Sequence, residues 1–143
     1  MNEDPFNLAR FLTAQEHTYE PALAELKRGE KESHWMWFIF PQIDGLGHSD
    51  MAIRYAIKSW QEAAAYLQHP ILGPRLIECS SALLQIRGKI ASDIMGYPDD
   101  LKLHSSMTLF ASVSKEGSIF RQVIDKYFQG QPDKKTIDVL HRG

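Results

Sequence analysis

The chain has 143 residues, of which 43% are hydrophobic and 24% charged, and these are the proportions of an ordinary globular domain that buries its own core. With 16 Lys and Arg against 18 Asp and Glu, the formal net charge is −2, which disfavours binding to a nucleic-acid polymer or to a membrane surface. Its single cysteine, Cys79, cannot form a disulfide within the chain. The longest apolar run, residues 35–40, is too short to cross a bilayer, and the acidic start lacks the pattern of a signal peptide, so we expect a single cytoplasmic domain over residues 1–143.

The first half of the chain shows apolar residues at helical spacing. A short stripe begins at Leu8, and a second runs from Tyr19 to Leu26 with Gly29 after it, as a helix end requires. A longer stripe follows, with Ser49 as its expected N-cap and the bond between residues 69 and 70 as its stop. Its members predict one helix with a single inward face: Ile53, Ile57, Trp60, Ala64 and Leu67.

The second half repeats this pattern. A stripe from Leu72 to Ile86 predicts a long helix, and Phe120 to Phe128 fits another. Asp99 is the expected cap of a helix through Phe110, and Asp133 the expected cap of a last one. Residues 35–40 and 107–113 fit either a buried strand or a helix, and we favour helices because there are few partners for a strand. The predicted fold class is therefore all-α, a compact multihelical domain with little or no β-strand.

The most informative segment is the aromatic one, which contains Trp35, Trp37, Phe38 and Phe40. One interpretation makes it a core helix with Ser33 as its N-cap and Pro41 as its stop. The other makes its aromatic residues the wall of a small-molecule pocket, because polar groups that suit a ligand lie at both ends of the segment. These flanking groups are Lys31, Ser33, His34 and Gln42.

Other motifs point to less. A loop with Gly45 and Gly47 precedes the Ser49 cap and has the form of an anion-binding turn, but Asp44 and Asp50 would repel a phosphate there and suit ribose hydroxyls better. The six histidines are scattered without the spacing of a metal site, so no metal is predicted. Cys79 lies on an apolar stripe and is expected to be an inert buried thiol.

Several strings of the sequence closely resemble the family called domain of unknown function 1810, and together they cover nearly the whole chain. The most specific is Ser33-His34-Trp35-Met36-Trp37-Phe38, followed by Phe40-Pro41-Gln42 and Gly45-Leu46-Gly47, with Ser105-Ser106-Met107-Thr108-Leu109-Phe110 further on. The resemblance implies an all-helical single domain found in bacteria and some other organisms. Its members are described as hypothetical proteins or, doubtfully, as calpastatin, and the resemblance carries over no catalytic residue and no cofactor.

Two functions from different classes fit these residues. In the favoured one, the chain binds a nucleotide or an ADP-ribose-like compound: an aromatic wall stacks the base, phosphates meet Lys31, Arg75 and Lys102, and a ribose meets Asp44 or Asp99. If the protein is an enzyme, which the residues leave open, His34 is the candidate acid or base. The alternative is a protein-protein interaction or regulatory module with tryptophans on its contact surface. The predicted ligand-binding residues are Lys31, Ser33, His34, Trp35, Trp37, Gln42, Arg75, Asp99 and Lys102.

Overall fold

The computed structural model of the chain describes residues 4–142; residues 1–3, with most of the acidic start, and residue 143 lie outside the described range. Within this range the chain forms ten α-helices and no β-strand, which confirms the all-α prediction. One isolated parallel bridge joins Ile43 to Ile57. The helices are α1 (Ala9–Gln15), α2 (Tyr19–Arg28), α3 (Met36–Ile39), α4 (Asp50–Arg54), α5 (Trp60–Gln68), α6 (Leu72–Gln85), α7 (Ala91–Met95), α8 (Asp99–Ser112), α9 (Ile119–Tyr127) and α10 (Lys134–Arg142).

The centre of the fold is α8, which packs against α5, α7, α9 and α10. Every residue from Ser105 to Phe110 is buried, so the middle of this helix is covered on all sides and not along one stripe. Two of its buried hydroxyl groups donate within the helix: Ser105 to the Leu101 carbonyl at 3.2 Å, and Thr108 to the His104 carbonyl at 2.8 Å. The buried Ser106 hydroxyl has no partner among residues 4–142. Both uncertain stretches, residues 35–40 and 107–113, contain helix as predicted, in α3 and α8.

The stripe predicted for the helix after residue 71 is confirmed in α6. All five of its apolar members are buried, including Leu72 at one end and Ile86 at the other. The start of α6 is fixed by His69, whose Nδ1 lies 3.1 Å from the backbone N of Ile71 and 3.2 Å from that of Leu72 and accepts from both. The histidine therefore satisfies donors that a helix start leaves free.

The stripe from Ile53 to Leu67 does not form one helix, so that prediction is wrong. The segment is divided between α4 and α5, and Ser59 caps the second helix by accepting from the Glu62 N–H. Ile53 and Trp60, predicted to face the core, are 50% and 54% exposed. The helical spacing continues across the break by coincidence, and the serine marks where the second helix begins.

The break between α4 and α5 is held by pairing with a distant segment. The Ile57 N–H donates to the Gln42 carbonyl at 2.8 Å, and the Asp44 N–H donates to the Ile57 carbonyl at 2.7 Å. Ile57 is therefore buried in a bridge to a distant segment instead of on a helix face. Spacing within one segment does not encode such a contact, because it depends on where another segment lies.

Three of the expected helix ends are confirmed. Gly29 ends α2 in the left-handed conformation, with φ of 78°. Ser49 caps α4 by accepting from the Ala52 N–H at 3.1 Å, and Asp133 accepts from the Thr136 N–H at 3.1 Å at the start of α10.

Two other expected caps are wrong. The N-cap of α3 is Trp35 and not Ser33, whose side chain points to a carboxylate on α2. The N-cap of α8 is Pro98, so that Asp99 becomes the first residue of the helix and its carboxylate is taken by two lysines. In both cases a charged partner elsewhere in the fold takes the side chain away from the local helix end.

Candidate functional site

A cleft of about 530 Å³ opens where α3, the loop before α4, the start of α8 and the start of α10 meet. Three of the predicted site residues line it: Trp37, Gln42 and Lys102. The remaining lining residues are Leu46, Gly47, His48, Ser49, Ala52, Pro98, Leu101, His104, Ser105, Asp133 and Lys135. The cleft therefore combines one large aromatic surface with lysines, hydroxyls, imidazoles and one carboxylate, drawn from four separate segments.

Trp37 is the aromatic wall of this cleft. Its side chain is partly buried, and its indole N–H is buried without a hydrogen-bond partner among residues 4–142. The Lys102 ammonium lies 5.0 Å from the centre of its ring, in cation–π range. A buried donor without an acceptor costs about 1 to 3 kcal/mol, and such groups are uncommon in folded proteins. Trp37 thus brings a stacking surface to the cleft, and its indole carries a buried donor that no residue from 4 to 142 accepts.

Lys102 is joined through Asp99 to the buried Lys31, so that two ion pairs connect the core with the cleft. The two oxygens of Asp99 contact different lysines: Oδ2 lies 2.9 Å from the Lys31 Nζ, and Oδ1 lies 3.3 Å from the Lys102 Nζ. The Lys31 side chain is only 6% exposed, and its ammonium also donates to the Ser33 carbonyl and lies 4.9 Å from the Trp35 ring. Neither Lys31 nor Asp99 lines the cleft itself.

Trp35, expected as a possible pocket wall, is instead a core residue that is 1% exposed. Its indole N–H donates at 2.8 Å to Glu25, which also accepts from the backbone N–H groups of Glu32 and Ser33 and from the Ser33 hydroxyl. We call these four residues the Glu25 anchor. Burial alone would raise the pKa of Glu25, but the hydrogen bonds from Ser33, Glu32 and Trp35 outweigh burial and lower the pKa to about 2.

Ser33 and His34 lie beside the anchor and away from the cleft. Ser33 is exposed to solvent, but its hydroxyl and its N–H both donate to Glu25. His34, the candidate acid or base, is exposed and is not among the residues that line the cleft. The structure therefore does not bring His34 together with Trp37 or Lys102 in this cleft.

Arg75 also lies outside the cleft, in a polar cluster between α1, α2 and α6. Its guanidinium donates to Gln15 Oε1 at 3.1 Å and lies 4.6 Å from the ring centre of Tyr19. The Gln15 amide donates in turn to the buried Tyr66 hydroxyl at 3.2 Å. These contacts satisfy a buried polar network, and they leave Arg75 in a structural position.

The glycine loop does line the cleft, through Gly47 and its neighbours. Gly45 has φ of 103°, which a residue with a side chain rarely adopts, and a Cβ at Gly47 would lie 2.7 Å from the Ala52 Cβ. Asp44 is about half exposed, forms an ion pair with Lys58 at 3.6 Å, and does not line the cleft.

Sequence reasoning missed several cleft residues. Asp133 and Lys135 enter from α10, and His48 from the loop before α4, although only the capping role of Asp133 was expected. Asp133 is held by the Ser105 hydroxyl at 3.1 Å, so a helix cap and the cleft share one carboxylate. The Asp133 cap was the available signal, but nothing local shows that α10 packs beside α8.

His104 is fixed within the cleft. Its ring stacks on Phe128 with centroids 4.1 Å apart and an interplanar angle of 5°, and its Nε2 lies 2.6 Å from the Gln131 carbonyl. The imidazole therefore ties the segment before α10 to α8 and shapes one side of the cleft.

Cysteine and metal chemistry have little support among the described residues. Cys79 is fully buried, and burial raises the pKa of its thiol to about 12, so it stays protonated at neutral pH. No group of three or more His, Cys, Asp or Glu within residues 4–142 is arranged to hold a metal ion. None of the helices in this range is both long and apolar enough to span a membrane.

The family model described as "Protein of unknown function (DUF1810)" matches residues 5–140. The chain belongs to the DUF1810 family. Among solved structures, this DUF1810 member is similar to the conserved hypothetical protein Rv1873 from Mycobacterium tuberculosis, with 49% sequence identity and a TM-score of 0.95. The match covers 96% of this chain and 99% of the mycobacterial one, so the two share their fold over almost their full lengths. No curated protein matches the chain.

Proposed function

We propose that the protein binds a small anionic molecule with a planar ring, of the nucleotide or ADP-ribose class, in the cleft beside Trp37. The observation that carries this proposal is the Trp37 side chain, whose buried indole N–H lacks an acceptor in the wall of a cleft that also presents Lys102 and Lys135. An aromatic wall with a few convergent polar groups is how small-molecule sites are built.

Each part of such a ligand has a matching group. The indole of Trp37 offers a face for a base, and Lys102 and Lys135 supply positive charge for phosphates. Asp133 lines the cleft and supports a contact with a ribose hydroxyl, although its Oδ2 already accepts from Ser105 and Thr136. The role that the sequence suggested for Asp44 or Asp99 thus passes to Asp133. The proposal concerns binding and assigns no reaction, since His34 does not line the cleft.

The test is isothermal titration calorimetry of the purified chain with ADP-ribose, NAD, AMP and uncharged adenosine. We expect the anionic compounds to bind more tightly than adenosine, and Trp37→Ala to abolish the binding. The matched control is Trp60→Ala, because Trp60 is 54% exposed and lies in a different groove. Failure of every compound to bind the wild-type chain would contradict the proposal.

Trp60 also carries the alternative function, protein-protein interaction. It lies in an apolar groove of about 460 Å³ with Val113, Ile137 and Leu140. Exposed tryptophans of this kind often anchor protein contacts. If the four compounds leave the chain unaffected and a bound protein is lost only from Trp60→Ala, the interaction function is favoured over the small-molecule one. A cytoplasmic location agrees with either function and with a single reduced cysteine.

A further inference from the structure

We infer that Lys31 is a positioning residue for the proposed site: by holding Asp99, it leaves the charge of Lys102 available to the ligand's anionic group. This inference rests on the proposed function, because it assigns the ligand's anion to Lys102. It also gives different roles to Lys31, inside the fold, and Lys102, in the cleft, although the sequence analysis predicted that both bind phosphates.

The geometry around Asp99 is unequal. Its bond to Lys31 is the shorter one, at 2.9 Å, and that lysine side chain is 6% exposed. Its contact with Lys102 is longer, at 3.3 Å, and the Lys102 side chain is 28% exposed. A shorter and better buried ion pair is less screened by water, so Asp99 is held mainly by Lys31.

Hydrogen bonds and a ring contact restrict both the side chain and the backbone of Lys31. Its ammonium donates to the Ser33 carbonyl at 2.6 Å and lies over the Trp35 ring, and both of these residues belong to the Glu25 anchor. Its own N–H donates to the Ile94 carbonyl at 2.7 Å. Backbone and side chain are therefore both fixed, and Lys31 presents its charge to Asp99 and not to the cleft.

The pairing of Asp99 with Lys31 determines how much positive charge Lys102 presents to a ligand in the cleft. With Lys31 in place, the single carboxylate of Asp99 is already neutralised from inside the fold, and Lys102 keeps its positive charge for the cleft. Without Lys31, Asp99 would neutralise Lys102 instead. The other charged or titratable groups that line the cleft are Lys135, Asp133, His48 and His104, whereas the ion pairs of Asp99 within residues 4–142 are those with Lys31 and Lys102.

The experiment measures ADP-ribose binding by calorimetry for a set of variants. Lys31→Met should weaken binding roughly two- to fivefold, the range of a partly exposed ion pair. Lys31→Arg should bind like the wild type, because it keeps the cation. The decisive variant is Lys31→Met combined with Asp99→Asn, which should restore wild-type affinity because the competing carboxylate is gone as well.

Two controls make the result specific. Lys102→Met should weaken binding at least as much as Lys31→Met and should also reduce the salt dependence of binding, since it removes a direct contact. Lys27→Met removes an exposed lysine that is not part of the cleft, and it should leave the affinity unchanged. If Lys31→Met binds like the wild type, or if the double variant binds no better than Lys31→Met, the inference is overturned.

A second readout needs no ligand. The rate at which an amine-reactive ester acylates Lys102, followed by peptide mass spectrometry, should fall in Lys31→Met and recover in the double variant. An unchanged rate in Lys31→Met overturns the inference whatever binds. If the wild type binds no ADP-ribose but the acylation rates change as expected, the coupling between the lysines stands and the proposed function fails.

Discussion

Trp35 and Trp37 lie two residues apart in the aromatic segment, and their indole N–H groups have opposite environments. Trp35 is almost fully buried and donates to Glu25 at 2.8 Å. Trp37 is partly buried, lines the cleft and has no acceptor for its indole N–H. Two tryptophans at the start of one short helix thus have different roles: Trp35 holds the fold together, and Trp37 forms part of a surface whose hydrogen bonding is incomplete.

The same contrast separates the Glu25 anchor from the cleft. In the anchor, one carboxylate accepts from four donors, so its polar groups are satisfied. At the cleft, the Trp37 indole N–H has no acceptor in the described part of the chain, and the Lys102 Nζ, near the Trp37 ring, lies 3.3 Å from Asp99. Satisfied buried networks stabilise a fold, whereas incomplete ones are where a further partner gains most. The anchor is therefore expected to govern stability and the cleft to govern binding.

The largest expected effect comes from the same change made at both tryptophans. Trp35→Phe removes a donor to a charged acceptor and leaves a void, so it should lower the free energy of unfolding by about 3 kcal/mol. Trp37→Phe removes a donor that has no acceptor, and it should change that free energy by less than about 1 kcal/mol, or raise it. Urea unfolding followed by circular dichroism measures both. Equal losses at the two positions would contradict the comparison.

The second largest expected effect is the loss of the Glu25 anchor, whose contribution to the free energy of unfolding depends on pH. The folded pKa of Glu25, about 2, lies below its ordinary value of 4.5, so the unfolded chain takes up the proton first. The stabilisation from Glu25 is therefore complete above about pH 4.5 and is lost as the pH falls toward 2. Glu25→Gln should cost about 2 kcal/mol at neutral pH, and the difference from the wild type should shrink in this acid range.

The control for that measurement is Glu20→Gln, an exposed glutamate on the same helix. It should leave the unfolding free energy and its acid dependence close to those of the wild type. An acid profile of Glu25→Gln parallel to that of the wild type would show that another group causes the loss of stability.

The smallest effect compares two serine caps. Ser49 and Ser59 each accept a backbone N–H at 3.1 Å, but only Ser49 lines the cleft. Replacing either by Ala should lower the unfolding free energy by about 1 kcal/mol. Only Ser49→Ala should also weaken ADP-ribose binding in calorimetry. If Ser59→Ala weakens it equally, the effect comes from general destabilisation and not from the cleft.

The sequence predicted those parts of the fold that depend on local spacing. The α6 stripe is correct because its residues face one continuous surface over the whole helix. The stripe from Ile53 to Leu67 is wrong because Ile57 is buried by pairing with a distant segment, a contact that local spacing cannot express. Helix caps followed the same rule: Ser49 and Asp133 cap their helices, whereas a charged partner elsewhere in the fold takes Asp99.

For the candidate site, the sequence identified residue types but not their directions. Trp37, Gln42 and Lys102 reach the cleft, while Lys31 and Arg75 turn inward to partners on other elements. The sequence alone does not show whether a lysine side chain contacts solvent, a ligand or a buried carboxylate. Its role is settled by the packing of α8 against the loop before α3, which only the folded chain shows.

The bridge between Ile43 and Ile57 has a consequence for how this fold can change. Two backbone hydrogen bonds join the ends of the stretch between Ile43 and Ile57. This stretch, which contains the glycine turn and α4, is therefore a loop closed at its base. Lengthening such a closed loop costs little entropy. The glycine turn can therefore lengthen and reshape one wall of the cleft, while the returning end stays attached to α3 through Tyr55, whose ring centre lies 4.8 Å from that of Phe38.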